Sequence, residues 1–235
     1  MRKFLHSLPF LLLLVMLLLA IFSWIGSVYG MQVQNLLSAD GIRWSVSQVL
    51  PNFQQSPWAE ILLGMMAVSV LVESDFLSTI LPTFRTKQPH HRRSLKQRRA
   101  LLLAMLMILL GLVALAALTF LPQAILLSAF GTFDGSSLQA GIYPIILFLL
   151  TLAAITYGFA AGRFFTLAHI VNATAYLPSR LATYWFTLFI SSQFVAQLSY
   201  VFSIPDSIIV PIAYTLYFFP LLLHFLLLSY INRPI

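Results

Sequence analysis

The feature that most constrains this chain is a series of apolar segments, each about as long as a membrane-crossing helix. A helix needs roughly 20 apolar residues to cross the hydrocarbon core of a bilayer. Six segments of the 235-residue chain reach about that length, at residues 8–29, 58–81, 100–128, 138–162, 183–202 and 207–230. The sequence therefore predicts an all-α, polytopic transmembrane bundle of about six helices, in a single domain covering residues 1–235.

The composition excludes several other classes of protein. Sixty per cent of the residues are hydrophobic and 8% are charged, which leaves too little polar surface for a soluble domain of this size. The chain has no cysteine, so disulfides, thiolate metal sites and cysteine nucleophiles are excluded. The net charge of +7 would suggest nucleic-acid binding in a soluble protein. Here the basic residues lie between apolar segments, where they orient a membrane protein, and no nucleic-acid partner is expected.

The positions of Lys and Arg predict the orientation in the membrane. With six crossings, Arg2 and Lys3, the basic loop at residues 82–99, and the later arginines all fall on one side, which the positive-inside rule makes cytoplasmic. The opposite side receives one basic residue, Arg43, together with three aspartates. We therefore expect a multi-pass protein of a bacterial inner membrane with both termini in the cytoplasm, and an uncleaved first helix.

Two connections are predicted to lie along the membrane surface as short interfacial helices. Ser38 is placed to cap a helix that runs through Leu50. That helix has an apolar face and lies along the outer interface, with Ile42, Val46, Val49 and Phe53 recurring at helical spacing. The mixed segment at residues 164–181 is expected along the inner interface, ending at Pro178.

Polar side chains inside the apolar segments are the candidate binding residues. Gln193, Gln197 and Tyr200 follow at intervals of four and three, so they share one face of the fifth segment. Such a face either bonds neighbouring helices or lines a cavity. Glu73 is the more deeply placed of two carboxylates at the end of the second segment. Gln193, Gln197 and Glu73 are therefore the candidate substrate-binding residues, and a cavity touching the two glutamines would favour transport.

Other motifs carry less chemistry. Small residues recur at every fourth position at Ala154, Gly158 and Gly162, which predicts close helix packing. The basic loop contains His90 and His91, but no further ligand stands at metal-binding spacing. No catalytic residue set or phosphate loop is present, so the sequence predicts no enzyme activity, no metal and no cofactor.

Several short motifs resemble the p-aminobenzoyl-glutamate transporter family of bacteria. The most specific lie between the first two apolar segments, namely Asn35-Leu36-Leu37-Ser38, Gly41-Ile42-Arg43-Trp44 and Asn52-Phe53. Further matches are Tyr157-Gly158 with Gly162, and Gln193-Phe194-Val195-Ala196. They occur in the family's order and cover most of the chain. The resemblance implies a membrane transporter of small organic anions or aromatic acids that forms a homodimer.

The chain also departs from the family pattern. Members of the family are longer, and contain two re-entrant hairpins that this chain lacks. Substrate sites of transporters are often built from such broken helices near the bilayer midplane. Two functions therefore stay open. The chain either transports a small organic anion, or acts as a non-transporting scaffold or accessory subunit of a fuller relative.

Overall fold

The chain is described by a computed structural model that covers residues 2–80, 94–120, 125–128 and 130–231. Every regular element in this part of the chain is an α-helix, so the predicted all-α fold is confirmed. Most of the basic loop, including His90 and His91, lies outside the described residues. The chain divides into two compact units, Met1–Trp58 with Leu181–Ile235, and Ala59–Arg180.

The first unit is built around one central helix. Its helices are α1 (Arg2–Val28), α2 (Ala39–Ser47), α3 (Val49–Gln54), α9 (Ala182–Phe202) and α10 (Asp206–Ile231). α9 contacts α1, α3 and α10, and it has the largest set of buried residues. Tyr184 is fully buried, and its hydroxyl donates to the Tyr217 carbonyl of α10 at 3.0 Å. Because α9 faces protein on several sides, it can carry polar residues that lipid would not accept.

The chain between α1 and α2 is fixed to both neighbouring helices. The hydroxyl of Ser23, which is fully buried in α1, accepts the backbone N–H of Leu36 at 3.0 Å. The backbone N–H of Gln34 donates to the Val201 carbonyl of α9 at 2.9 Å. These bonds satisfy backbone groups of an irregular segment, and they set where α2 begins.

The predicted interfacial helix after Ser38 is present, but as two short helices. Ser38 caps α2 as expected, since its hydroxyl accepts the N–H of Gly41 at 3.0 Å. α2 ends at Ser47 and α3 begins at Val49, where a single helix through Leu50 was predicted. Pro51 explains the interruption, because its nitrogen cannot donate to the carbonyl of Ser47. The side chains of Ile42 and Val46 are exposed, as a face in contact with lipid requires.

The second unit contains α4 (Trp58–Glu73), α5 (Phe76–Ile80), α6 (Leu95–Phe120), α7 (Ser137–Ala161) and α8 (Leu167–Arg180). α6 and α7 pack against each other as an antiparallel pair. Small residues meet where they pack, with Ala100 and Ala104 of α6 and Ala153 of α7 all fully buried. At Gly111 a methyl group would overlap the side chain of Leu149. The close approach of these two helices therefore depends on small side chains.

The second predicted span, residues 58–81, is broken. α4 ends at Glu73, and α5 restarts at Phe76. Between them Asp75 has a φ of 60°, a left-handed conformation that interrupts the helical ladder. The Ser74 hydroxyl then accepts the N–H of Phe76 at 3.3 Å and so serves the new helix start.

Three further boundaries differ from prediction. α6 starts at Leu95, inside the predicted basic loop, because Ser94 and Gln97 form a capping box in which each side chain bonds the other's backbone N–H. It ends at Phe120 and not at residue 128. α8 continues past Pro178 to Arg180. The N–H of Leu177, just before that proline, donates to the Ser69 hydroxyl at 2.9 Å, which anchors the last turn.

Four helices of the described part of the chain are long and apolar enough to cross a membrane: Ser7–Val28, Leu95–Phe120, Ser137–Ala161 and Asp206–Phe225. The protein is therefore a multi-pass α-helical membrane protein, with about four such spans where about six were predicted. α4 has 16 residues, a rise of about 24 Å, and is shorter than a hydrocarbon core of about 30 Å. α9 has 21 residues and is long enough, but its polar residues lower its hydropathy.

Candidate functional site

Gln193 holds the short helix α3 against α9. Its amide nitrogen donates to the Val49 carbonyl at 2.9 Å, and its amide oxygen accepts from the Asn52 side chain at 3.3 Å. Gln193 and Asn52 are each 9% exposed. The same amide nitrogen also lies 3.3 Å from the hydroxyl of Ser192. Gln193 therefore joins α9 to α3 through two hydrogen bonds, and it orients Asn52.

Gln197 lies one helical turn further along α9 and behaves differently. Its side chain is half-buried, and its amide oxygen has no hydrogen-bond partner among the described residues. Tyr200, the third member of the predicted face, stacks on Trp44 of α2, with ring centroids 4.2 Å apart and an angle of 24°. The three residues of the predicted face therefore have different roles. Gln193 bonds α9 to α3, Gln197 has an amide oxygen without a partner among the described residues, and Tyr200 stacks on Trp44.

The motif residues ahead of α2 shape the backbone that leads into it. The side-chain oxygen of Asn35 accepts the N–H of Leu37 at 2.9 Å, and its carbonyl accepts the Ser38 hydroxyl at 2.8 Å. Gly41 packs directly on this turn, and a β-carbon there would lie 2.6 Å from the carbonyl oxygen of Leu36. These residues fix the start of α2 sterically and by hydrogen bonds.

The other motif residues of this segment differ in burial. Arg43 is exposed and lies 3.8 Å from Asp40, one turn earlier on the same helix. Phe53 of α3 contacts the rings of Phe189 and Trp58, with centroids 5.6 and 6.0 Å away. Trp44 and Phe53 are therefore the aromatic residues that dock α2 and α3 on the rest of this unit.

A cavity of about 510 Å³ lies in the first unit between α2–α3, α9 and α10. Each helix lines it with residues at helical spacing, that is, with one face. The lining residues are Trp44, Gln48, Asn52, Gln55, Pro57, Ser192, Val195, Ala196, Ser199, Tyr200, Asp206, Ile209, Val210, Ala213, Tyr214 and Tyr217. Gln193 and Gln197 are not among them, although two groups bonded to Gln193 are.

The cavity runs deep along α10. Its lining extends from Asp206, at the start of that helix, to Tyr217. Eleven residues at about 1.5 Å each place Tyr217 roughly 16 Å below the start of the helix. This length is about half the thickness of a hydrocarbon core. Tyr217 is buried, whereas Tyr214 is exposed.

Several residues that line the cavity were not predicted from the sequence. On α2 and α3, Gln48, Asn52 and Gln55 follow at intervals of four and three, which is a polar face opposite to the apolar one. On α10, Tyr214 and Tyr217 are also three apart. Both signals were visible as spacing. Because the two faces are far apart in the chain, only the fold brings them together.

Glu73 lies in the second unit, at the end of α4, and its side chain is exposed. Its neighbour Asp75 forms an ion pair with Arg163, which follows α7. Close by, the hydroxyls of Thr79 and Tyr157 lie 2.8 Å apart and join α5 to α7. The polar contacts at this end of the unit therefore centre on the helix break at Asp75.

The motif glycines of α7 end that helix. Gly162 has a φ of 78°, and its N–H donates to the Phe159 carbonyl at 3.0 Å. The N–H of Arg163 donates to the Gly158 carbonyl at 2.7 Å, which completes a Schellman motif. A side chain on Gly158 would overlap the Phe164 ring. Gly158 and Gly162 thus shape the end of α7, beyond the helix-packing role that spacing indicated.

Within the described residues, no group of three His, Cys, Asp or Glu side chains is arranged to hold a metal ion. Comparison of the chain with protein-family models, with curated proteins and with solved structures finds no match.

Proposed function

We propose that this chain is a membrane transport protein for a small aromatic solute, and that the cavity beside α9 binds that solute. The observation that carries the proposal is the cavity itself, since its volume of about 510 Å³ falls in the range of small-molecule sites, roughly 300–1,000 Å³. The length of the cavity along α10 is about half the thickness of a hydrocarbon core, which suits a site near the midplane, where transporter sites are typically found.

The lining argues against a lipid chain as the occupant. Gln48, Gln55 and Asp206 are polar residues of the lining, besides Asn52, whose amide donates to Gln193. Polar groups cost several kcal/mol each when placed against hydrocarbon without partners. They are stabilised by water or by a polar solute, and both belong in a transport site.

Two prolines weaken the backbone hydrogen bonding of α10 and so make this helix easier to bend. Pro211 and Pro220 lie within this helix and remove backbone hydrogen bonds to the preceding turns. The Thr215 hydroxyl donates to the Pro211 carbonyl at 2.9 Å, one turn after that proline. Since α10 forms one wall of the cavity, bending at Pro211 would change the width of the opening.

The resemblance to p-aminobenzoyl-glutamate transporters supports an aromatic solute. The motif segment of that resemblance, residues 35–53, supplies one wall of the cavity through Trp44 and Asn52. A family motif that builds a cavity wall is more informative about binding than one that only packs helices.

We further propose that both termini face the cytoplasm. The basic residues that start α1 and α6 are then on the same side, as the positive-inside rule requires. This orientation needs two crossings besides the four long apolar helices, one by α4 together with α5 and one by α9. Broken helices occur in membranes where protein or water covers the interruption.

The test is uptake of labelled aromatic solutes of either charge by cells that express the chain, with insertion confirmed by a tag. The solutes are p-aminobenzoate, p-aminobenzoyl-glutamate and benzyltrimethylammonium. We expect uptake of at least one of them above the empty-vector level, and loss of that uptake in Trp44→Ala and Tyr214→Ala. Trp24→Ala, at an exposed tryptophan of α1 outside the cavity, is the control and should transport normally.

Absence of uptake from a correctly inserted protein would refute the proposal for these solutes and favour the scaffold function. Uptake that persists in both cavity variants would show that the solute passes elsewhere. In that case the cavity beside α9 would not be the binding site.

A further inference from the structure

The charge lining the cavity has the opposite sign to the chain as a whole. The protein carries a net charge of +7, yet no lysine, arginine or histidine lines the cavity. The one ionisable carboxylate there is Asp206. Asp206 is exposed, so its carboxylate is accessible at the cavity, where it attracts cations and repels anions.

No cation of the described chain neutralises Asp206. The two ion pairs seen among the described residues join Arg43 to Asp40 and Arg163 to Asp75. Arg43, which is next to Trp44 in sequence, is thus paired on the outside of α2 and does not line the cavity. Asp206 is therefore available to pair with a cation in the cavity.

The start of α10 does not serve as an anion site either. The first N–H groups of a helix attract anions. Here Asp206 is the first residue of α10, so its own carboxylate lies at this positive end. An incoming anion would meet a negative charge already in place.

Aromatic rings stand at the same end of the cavity as Asp206. Tyr200 lies near the end of α9, three residues before the turn that leads to Asp206, and it stacks on Trp44 at 4.2 Å. Ring faces of tryptophan and tyrosine attract ammonium groups within about 6 Å of their centroids. Trp44 and Tyr200 cover one face of each other, so an ammonium group can meet an outer face of the stack. A carboxylate together with such a ring face is a recognised chemistry for organic ammonium ions. The lining by Ile209, Val210 and Tyr217 suits an apolar or aromatic body.

We propose that the solute of this cavity is an organic ammonium ion with an apolar or aromatic body. Its ammonium group lies between Asp206 and the Trp44–Tyr200 stack, and its body extends toward Tyr217. This deepens the proposed transport function and rests on it. It also replaces the organic anion implied by the resemblance with a solute of opposite charge.

The test is direct binding to the purified full-length chain in detergent, measured calorimetrically with three probes of similar size. These are benzyltrimethylammonium, benzyl alcohol and benzoate. We expect the ammonium ion to bind about tenfold more tightly than benzoate. Asp206→Asn should weaken binding of the ammonium ion about tenfold and leave benzyl alcohol unchanged. Asp134→Asn, at an exposed aspartate outside the cavity, is the matched control and should change neither.

Two results would overturn the inference. Benzoate that binds as tightly as the ammonium ion, with loss of binding in Tyr214→Ala, would refute the charge assignment and leave the cavity as the transport site. Unchanged binding of the ammonium ion in Asp206→Asn would refute the role of this carboxylate. If none of the three probes binds, both the inference and the proposed binding site fail.

Discussion

Replacing Gln193 by alanine should loosen α3 from α9. The side chain makes two hydrogen bonds to α3, to the Val49 carbonyl at 2.9 Å and from Asn52 at 3.3 Å. Alanine removes both bonds and leaves the Asn52 amide without its acceptor. Because Asn52 lines the cavity, the substitution is expected to disturb that wall as well as the stability of the unit.

The magnitude follows from the two bonds. A neutral hydrogen bond contributes about 0.5–1.5 kcal/mol net, so the loss of both costs about 1–3 kcal/mol. Gln197→Ala is the matched control, one turn away on the same helix. The amide oxygen of Gln197 has no partner among the described residues, so its removal loses no such bond and relieves the cost of burying it. We expect a change between zero and a slight stabilisation.

The assay is reversible unfolding of both variants and the parent in mixed micelles, followed by tryptophan fluorescence. Asn52→Ala and the double variant with Gln193→Ala complete a cycle, and their effects should be less than additive because the two residues share a bond. Equal stability of the Gln193→Ala and Gln197→Ala variants would refute the claim that Gln193 stabilises the packing of α3 on α9. Additive effects in the cycle would refute the bond between Gln193 and Asn52.

Three other predictions follow from contacts elsewhere. Gly41→Ala should destabilise the protein by about 1–3 kcal/mol because the new methyl group overlaps backbone atoms. The control Gly141→Ala meets only an ordinary contact and should stabilise α7 by up to about 1 kcal/mol. Equal effects of the two substitutions in a thermal unfolding assay would contradict this prediction. Tyr157→Phe removes the 2.8 Å bond to Thr79 and should cost about 1 kcal/mol, and an unchanged midpoint would mean that water replaces the bond. The chain has no native cysteine, so a single cysteine can be placed at exposed Ser94. It should react with an impermeant maleimide only from the cytoplasmic side. Labelling of intact cells from outside would contradict the proposed orientation.

The sequence predicted the helices well and their interruptions less well. Apolar length alone located α7, α9 and α10 to within one residue at each end, because lipid contact requires long runs of apolar side chains. The break at Asp75 was missed, since apolar residues continue on both sides of it. A left-handed residue in such a segment is stabilised by local bonds from Ser74 and by packing of Phe76, and neither has a strong signature in sequence.

The candidate site was likewise predicted only in part. Spacing placed Gln193, Gln197 and Tyr200 on one face of α9, and left open whether that face bonds helices or lines a cavity. In the structure Gln193 bonds α3, whereas Tyr200 of the same face lines the cavity together with Ser192 and Ser199. One polar face therefore has both roles, and its spacing in the sequence does not specify which residue has which role.

By itself, the sequence determined that this protein is helical, that it lies in a membrane and that a capped helix begins after Ser38. These properties follow from local chemistry, namely apolar length and a hydroxyl three residues before a backbone N–H. Only the tertiary structure decided which polar groups meet. Residues 44–57 and 206–217 are far apart in the chain, and they share one cavity because both α3 and α10 pack on the central helix α9.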